Sequence, residues 1–128
     1  MDRSITVLVV DDEVAIAAWL ADEIKVSHPD WEVLQAYDGF TAGEIVGASK
    51  PSVVLLDIRM PGVNGLDVCR RIKSRTDTKD IAVIAMTAYA SEGVKDQMMG
   101  AGARSCFAKP LDINVVMAEV EAAISERP

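Results

Sequence analysis

Sulfur and imidazole ligands are scarce in this chain. Its 128 residues include two cysteines and one histidine, and Cys69 and Cys106 lie far apart without forming a CxxC pair. Disulfide frameworks and zinc sites are built from closely spaced cysteine or histidine pairs. Neither is expected here, so both thiols should be reduced. We expect His28 in the loop before the second strand, with no role in the function.

Long apolar runs and clustered positive charge are also missing. No apolar stretch approaches the roughly 20 residues that a membrane helix requires, and residues 1–4 carry no signal-peptide pattern. The formal net charge is −7, whereas binding to nucleic acid or anionic lipid needs clustered lysine and arginine. We expect a soluble, cytoplasmic protein that contacts neither membranes nor nucleic acid directly.

What the chain does have is an alternation of strand-like and helix-like segments. Apolar runs of strand length, several of them continuous as in strands covered on both faces, occupy residues 5–10, 31–36, 53–56, 81–86 and 105–108. Apolar residues between the runs recur at helical spacing. The helix anchors are Ile16, Leu20 and Ile24; Phe40, Glu44 and Ala48 with Ile45; Leu66, Cys69 and Ile72; and Val116, Val120 and Ile124. A weaker segment at 91–99 offers Val94, Met98 and Met99.

This alternation predicts one α/β domain over residues 1–128, a length sufficient for a real core. Strands that alternate with helices form right-handed crossovers and a parallel sheet with helices on both faces. We therefore predict a flavodoxin-like (βα)5 fold, a doubly wound five-stranded parallel sheet in the order 2-1-3-4-5.

Five polar residues stand where predicted strands end: Asp11, Asp12, Asp57, Thr87 and Lys109. Open α/β sheets bind ligands beyond the carboxyl ends of their strands, so these side chains should share one pocket. Neighbouring strands lie about 4.8 Å apart, which makes Asp57 central and leaves Lys109 about 10 Å away, within reach of a long side chain.

Three carboxylates in one pocket repel one another, so one must keep its proton or a cation must lie among them. Mg²⁺ suits a half-open acidic cluster because it binds one or two carboxylates together with water and phosphate oxygens. Phosphoryl transfer uses a metal, a carboxylate nucleophile, a hydroxyl and an ammonium together. Asp57 would attack phosphorus, Lys109 would neutralise the phosphoryl oxygens, and Thr87 would donate a hydrogen bond.

Each position also has a simpler explanation. Asp12 with Glu13 could cap a helix, Asp57 could form a turn before Pro61, and Thr87 and Lys109 could be ordinary strand-end residues. Independent coincidence at all five strand ends is the weaker explanation.

The segments VVDDE (9–13), LLDIRMPGVNG (55–65), MTAYA (86–90) and FAKPLD (107–112) resemble the receiver domain of bacterial two-component response regulators. The resemblance implies that Asp57 is the phosphoacceptor and that Asp11, Asp12, Asp57 and the backbone carbonyl of Arg59 bind Mg²⁺. It implies that Thr87 and Lys109 bind the phosphoryl group and that the Lys109–Pro110 peptide bond is cis.

The same resemblance implies partners. The phosphoryl donor would be a sensor histidine kinase, a histidine phosphotransfer protein or a small donor such as acetyl phosphate. Phosphorylation would change the affinity for a downstream output domain or protein through the fourth helix, fifth strand and fifth helix, a surface that could also form a homodimer.

Two features concern the switch and its tuning. Cys106 stands where the family usually has an aromatic residue, and the adjacent Phe107 should point to the opposite face of the sheet. Arg59 and Tyr89 fall where the family tunes access of water to the acyl phosphate, and both are large enough to shield it.

Three other functions compete with this signalling switch. An aspartyl-nucleophile phosphatase needs a second aspartate two residues after the first as general acid, where this chain has Arg59. A flavin or nucleotide carrier needs a phosphate-cradling loop after the first strand, where Asp11, Asp12 and Glu13 would repel phosphate. A phosphorylation-independent interaction module stays open.

Overall fold

The computed structural model describes residues 4–89 and 91–126. Ten elements alternate along this part of the chain: β1 (Thr6–Val10), α1 (Val14–Ser27), β2 (Glu32–Ala36), α2 (Gly39–Ser49), β3 (Val53–Asp57), α3 (Gly65–Ser74), β4 (Ala82–Thr87), α4 (Glu92–Gly100), β5 (Ser105–Ala108) and α5 (Ile113–Ser125). Ala90, which ends the 86–90 motif, and both ends of the predicted 1–128 domain lie outside the described residues. None of the described helices has the length and apolar character needed to cross a bilayer.

The strands form one parallel sheet in the order β2-β1-β3-β4-β5, which confirms the predicted fold class. The predicted strand bounds differ by one residue at several ends. Ile5, Trp31 and Ile81 precede their strands, and Asp57 and Thr87 are the last residues of theirs. Trp31 and Ile81 are buried in the core without joining the ladder, whereas Ile5 packs against it and its carbonyl accepts a hydrogen bond from the Glu32 N–H. Burial beyond the paired residues is why a hydrophobic run alone overestimates the strand.

The sheet has a core on each face because its strands are covered on both sides. Leu8 and Val54 pack in one cluster with residues of α2, α3 and α4, whereas Val9 and Leu55 pack in the other with residues of α1 and α5. All residues of β3 are buried. Two-sided burial explains the continuous apolar runs of the sequence.

The loop after β3 is held close to the strand end by α3. The Asn64 side chain accepts a hydrogen bond from the backbone N–H of Asp67 and caps the helix. A Cβ atom at Gly65 would lie 2.4 Å from the backbone oxygen of Asp57. Gly65 therefore permits a close approach that other residues would prevent, and Gly62, with φ of +78°, supplies the left-handed turn before it.

The predicted inner face of α2 was wrong at three of its four residues, while the fourth, Ile45, packs against the core as predicted. The helix buries Gly39, Ala42 and Val46, whereas Phe40 is 69% exposed and Glu44 and Ala48 are also exposed. The small residues let α2 pack closely, as at Gly39, where a Cβ atom would lie 2.4 Å from the Val63 carbonyl oxygen. Two stripes at helical spacing compete in this segment, and the larger apolar residue does not belong to the buried one.

Helix α4 is weakly anchored, as the sequence indicated. It begins after Ser91, whose hydroxyl accepts a hydrogen bond from the backbone N–H of Val94, and its buried residue is Met98. Val94 is half-buried, whereas the third predicted anchor, Met99, is 44% exposed. The helix has few contacts to lose if it moves.

Candidate functional site

Polar residues converge at the carboxyl edge of the sheet. Asp57 and Thr87 end β3 and β4, Asp11 and Asp12 follow β1, and Lys109 follows β5. Asp11, Asp57 and Thr87 are 0%, 3% and 1% exposed, whereas Asp12 is open to solvent. The structure therefore brings together all five polar residues that the sequence singled out.

The three carboxylates form the acidic part of the site. Asp11, Asp12 and Asp57 each offer an oxygen, and these oxygens lie within 4.8 Å of one another. One oxygen of Asp11 also makes a local contact. Its Oδ1 accepts a 2.9 Å hydrogen bond from the backbone N–H of Glu13. Glu13 itself is the N-cap of α1 without a side-chain cap bond, so simple helix capping by Glu13 does not explain the acidic run.

Lys109 reaches across the sheet to these carboxylates. Its Nζ donates a 2.7 Å hydrogen bond to Asp11 Oδ2 and lies 3.7 Å from Asp57 Oδ1. Burial disfavours the ammonium, but the hydrogen bond to Asp11 and the charges of Asp57, Asp11 and Glu13 outweigh burial and raise the pKa of Lys109. The peptide bond between Lys109 and Pro110 is cis.

Asp57 is the carboxyl whose environment most opposes ionisation. Burial and then the negative charge of Asp11 raise the pKa of Asp57 to about 6, against the opposing effects of Lys109 and of a hydrogen bond from the Arg59 backbone. Within the described residues, the Lys109 ammonium is surrounded by the three clustered carboxylates and that of Glu13. The site consequently keeps an excess of negative charge that a cation would relieve.

The Thr87 hydroxyl is held by the next loop. Its Oγ1 accepts a 3.0 Å hydrogen bond from the backbone N–H of Tyr89, so its own proton is still free to donate to a ligand. The backbone carbonyl of Thr87 accepts a 2.8 Å bond from the Lys109 N–H. Thr87 thus connects the site both to the loop that leads into α4 and to the loop that contains Lys109.

Arg59 and Tyr89 form a contact that sequence reasoning missed. The guanidinium carbon of Arg59 lies 4.4 Å from the centroid of the Tyr89 ring, in the range of a cation–π interaction. The sequence placed both residues beside Asp57 but gave no sign of their stacking. Their equal offset of two residues from the ends of neighbouring strands, β3 and β4, is the signal that could have revealed it.

Cys106 leaves a hollow where it lies on β5. It packs on the same face of the sheet as α4, beside a cavity of about 260 Å³ lined by Ser91, Glu92 and Lys95. Phe107 packs on the opposite face. Strand alternation therefore separates the two side chains, and Phe107 does not fill the space beside Cys106.

Fold and site together define a class: an α/β protein with a cluster of three carboxylates at the carboxyl edge of a doubly wound parallel sheet. The family model of the response regulator receiver domain matches residues 7–121. The chain belongs to this family, the receiver domains of two-component response regulators.

Relatives agree with this assignment. The chain is 37% identical over 117 residues to the response regulator PleD of Caulobacter vibrioides, a match that covers 91% of this chain and 25% of PleD. It is 34% identical over 110 residues to the sporulation initiation phosphotransferase F of Bacillus subtilis, covering 86% of each. The chain thus spans a quarter of the length of PleD and most of the Bacillus protein.

A solved structure agrees in fold and sequence. The signal receiver domain of a DNA-binding response regulator from Colwellia psychrerythraea 34H superposes with a TM-score of 0.92 at 31% identity. That match covers 96% of this chain and 100% of the other.

Proposed function

We propose that this chain is a phosphoacceptor signalling switch and that Asp57 receives the phosphoryl group. The observation that carries the proposal is the buried carboxyl of Asp57 at the end of the central strand, flanked by Asp11, Thr87 and Lys109. The donor is a sensor histidine kinase or a histidine phosphotransfer protein. An Asp57 oxygen forms a bond to phosphorus while the bond from phosphorus to the donor imidazole nitrogen breaks, and that nitrogen keeps the electron pair.

The neighbouring side chains stabilise the transferred group. The Lys109 ammonium, 3.7 Å from an Asp57 oxygen, neutralises charge on the phosphoryl oxygens. The Thr87 hydroxyl has a proton to donate to one of them. Both are poised at the strand ends beside Asp57, so they need little rearrangement to bind the product.

The donor set fits Mg²⁺. Carboxylate oxygens that converge within 4.8 Å are the hard ligands that this ion prefers. Burial and then the charge of Asp11 raise the pKa of Asp57, and a dication would offset that charge. We propose that Asp11, Asp12, Asp57 and the backbone carbonyl of Arg59 hold the ion. When bound, Mg²⁺ supplies charge neutralisation for the phosphoryl oxygens.

The output follows from the Thr87 contact. A phosphoryl group that draws the Thr87 hydroxyl toward Asp57 moves the oxygen that accepts the hydrogen bond from the Tyr89 N–H, and the loop into the weakly anchored α4 must respond. We propose that the surface of α4, β5 and α5 thereby changes its affinity for an output domain or protein, or for a second copy of the chain. Cys106 lies in this surface beside open space, so an inward-swinging aromatic is not part of the switch.

The stacked pair of Arg59 and Tyr89 is proposed to control the lifetime of the phosphoryl group. Arg59 and Tyr89 lie two residues after Asp57 and Thr87, in the loops that follow β3 and β4, and their side chains are in contact with each other. Water that approaches the acyl phosphate from that side would be excluded. The expected effect is slow hydrolysis.

The reaction is limited to the protein's own residue. We propose no turnover of external phosphoesters, because a phosphatase of the aspartyl type requires a general acid at the position that Arg59 occupies. We further propose that residues 1–128 act as one domain in the cytoplasm, where the kinase or phosphotransfer partner is found, with no direct contact to nucleic acid.

Intact mass tests this proposal. Wild-type protein incubated with acetyl phosphate and Mg²⁺ should gain the mass of one phosphoryl group, and chelation of the metal should prevent the gain. Asp57→Asn should gain nothing, while the matched surface control Asp67→Asn, 57% exposed in its side chain, should behave as wild type. Equal gain in Asp57→Asn would refute the proposal, and sustained release of phosphate from an aryl phosphate would favour the phosphatase.

A further inference from the structure

The outward face of α2 carries exposed apolar residues and borders a groove, and neither has a part in the proposed function. Phe40 is 69% exposed, and Val63, in the loop beside it, is 40% exposed. The groove between α2 and α3 next to them has a volume of about 590 Å³. Exposed aromatic residues beside an apolar groove are typical of protein contact surfaces.

The floor of this groove is open because α2 carries glycines there. A Cβ atom added at Gly43 or Gly47 would meet nothing within 4 Å, so packing within the molecule does not require glycine at either position. Glycine inside a helix lowers its stability relative to alanine. The result of these two residues is a notch one to two turns beyond Phe40 on the same helix face.

The groove carries an acidic and a basic side chain. Glu44 on α2 and Arg71 on α3 both line it, and neither forms an ion pair within residues 4–89 and 91–126. One surface therefore presents a protruding ring and a notch, together with an unpaired carboxylate and an unpaired guanidinium. An isologous contact requires a patch that complements itself in this way.

We propose that this face is a self-association surface on which two copies of the chain pack their α2 helices antiparallel. A two-fold axis between positions 43 and 44 places Phe40 of each copy opposite the partner's Gly47. The same axis allows Glu44 of each copy to pair with the partner's Arg71. This dimer is separate from the surface of α4, β5 and α5 and does not depend on phosphorylation of Asp57.

Sedimentation velocity over a concentration series tests the proposal without phosphoryl donor or Mg²⁺, at about 0.15 M salt to screen the net negative charge. The wild type should form a reversible dimer with a dissociation constant of about 1 mM or tighter. Phe40→Ser and Gly47→Gln should each weaken it at least about tenfold. Gly47→Gln should melt at or above the wild-type temperature, since it improves helix propensity, which separates loss of the contact from loss of the fold.

A charge-exchange mixture tests the symmetry. Glu44→Lys and Arg71→Glu should each dimerise less than wild type, because each places like charges opposite one another. An equimolar mixture should form a heterodimer, detectable by native mass spectrometry, in which both charge pairs are attractive.

Several outcomes would overturn the proposal. The proposal fails if the wild type stays monomeric up to about 1 mM. It also fails if the dimer survives Phe40→Ser and Gly47→Gln, or if the charge-exchange mixture forms no heterodimer. The control Val115→Ser, at an apolar α5 residue that is 48% exposed, should leave dimerisation unchanged. Loss of the dimer only in Val115→Ser would locate the contact on α5 instead.

Discussion

At the scale of single residues, the site concentrates unfavourable charge around Asp57. The carboxyl is 3% exposed, shares its pocket with Asp11 and Asp12, and has Lys109 as its nearby cation. Burial of a charge with incomplete compensation lowers the stability of the folded state. The residue proposed to carry the chemistry is therefore one that the fold tolerates at a penalty, and this penalty can be measured.

The substitution Asp57→Asn should stabilise the metal-free protein at neutral pH. The carboxyl ionises at its ordinary pKa of 3.8 in the unfolded chain and at about 6 in the folded one. Between these values the folded state retains a proton that the unfolded state has lost, so the wild-type stability falls as pH rises, and the loss is complete above pH 6. The advantage of Asp57→Asn at pH 7.5 should be on the order of 2 kcal/mol.

Urea unfolding with a chelator measures this difference. The stability difference between Asp57→Asn and wild type should shrink toward zero below pH 3.8, the ordinary pKa, where the carboxyl is protonated in both the folded and the unfolded state. Asp67→Asn, on the exposed face of α3, serves as the control and should show no comparable gain. A wild type that is more stable than Asp57→Asn at pH 7.5 would contradict the charge argument.

Arg59 and Tyr89 should act on phosphoryl lifetime as a pair. Removal of the Tyr89 ring or of the Arg59 guanidinium breaks the same 4.4 Å contact. Arg59→Ala and Tyr89→Ala should therefore each speed hydrolysis of the acyl phosphate by several fold. The double variant should hydrolyse little faster than either single variant. The loss of phosphoryl mass after removal of the donor gives the rate. Unchanged rates, or effects that multiply independently, would argue against a shared shield.

At the scale of elements, α4 and α3 differ in how firmly they are held. α3 buries Gly65, Val68, Cys69 and Ile72, whereas α4, of nearly the same length, buries Met98. An element with few buried contacts opens at low free energy. The helix that we propose responds to Thr87 is therefore also the one of these two that can move more easily.

Hydrogen exchange should show this difference directly. In the unphosphorylated protein, the amides of α4 should exchange about tenfold or more faster than those of α3, after correction for intrinsic rates. Phosphorylation of Asp57 should change exchange in α4 and β5 more than in α3. Equal protection of the two helices would mean that α4 is held by contacts beyond its buried side chain.

At the scale of the whole molecule, the parts that were predictable from the sequence are those with a single physical solution. Continuous apolar runs of strand length that alternate with segments of helical spacing favour strands covered on both faces, and parallel strands bring their carboxyl ends to one edge. The fold class and the meeting of Asp11, Asp57 and Thr87 follow from these two rules. The side-chain contacts do not follow from these rules, because a flexible side chain has several neighbours within reach and the rules do not say which one it contacts.

Two particular elements show this limit. Phe40 has the helical spacing of a core residue, but α2 uses its smaller residues to approach the sheet, and a hydrophobic pattern does not distinguish the two faces. Lys109 was expected to reach the pocket, yet its partner, Asp11 at 2.7 Å, was not foreseen. Its choice depends on loop geometry that no local sequence rule encodes.

Mg²⁺ should stabilise the folded protein as a whole. A ligand that binds only the native state raises its stability, by about 1.4 kcal/mol at ten times its dissociation constant. Thermal unfolding should therefore shift upward by a few degrees in wild type, less in Asp12→Asn, and as in wild type for Asp67→Asn. The same shift in Asp12→Asn would show that the cation binds away from the acidic cluster.

The most direct measurement identifies the residue that carries the phosphoryl group. After reaction with acetyl phosphate and Mg²⁺, borohydride reduces an aspartyl phosphate to homoserine, which peptide mass spectrometry can locate. We predict that Asp57 is converted to homoserine and that no other aspartate is. Reduction at Asp11 or Asp12, or a stable phosphoryl group on a serine, threonine or histidine with none at Asp57, would contradict the account.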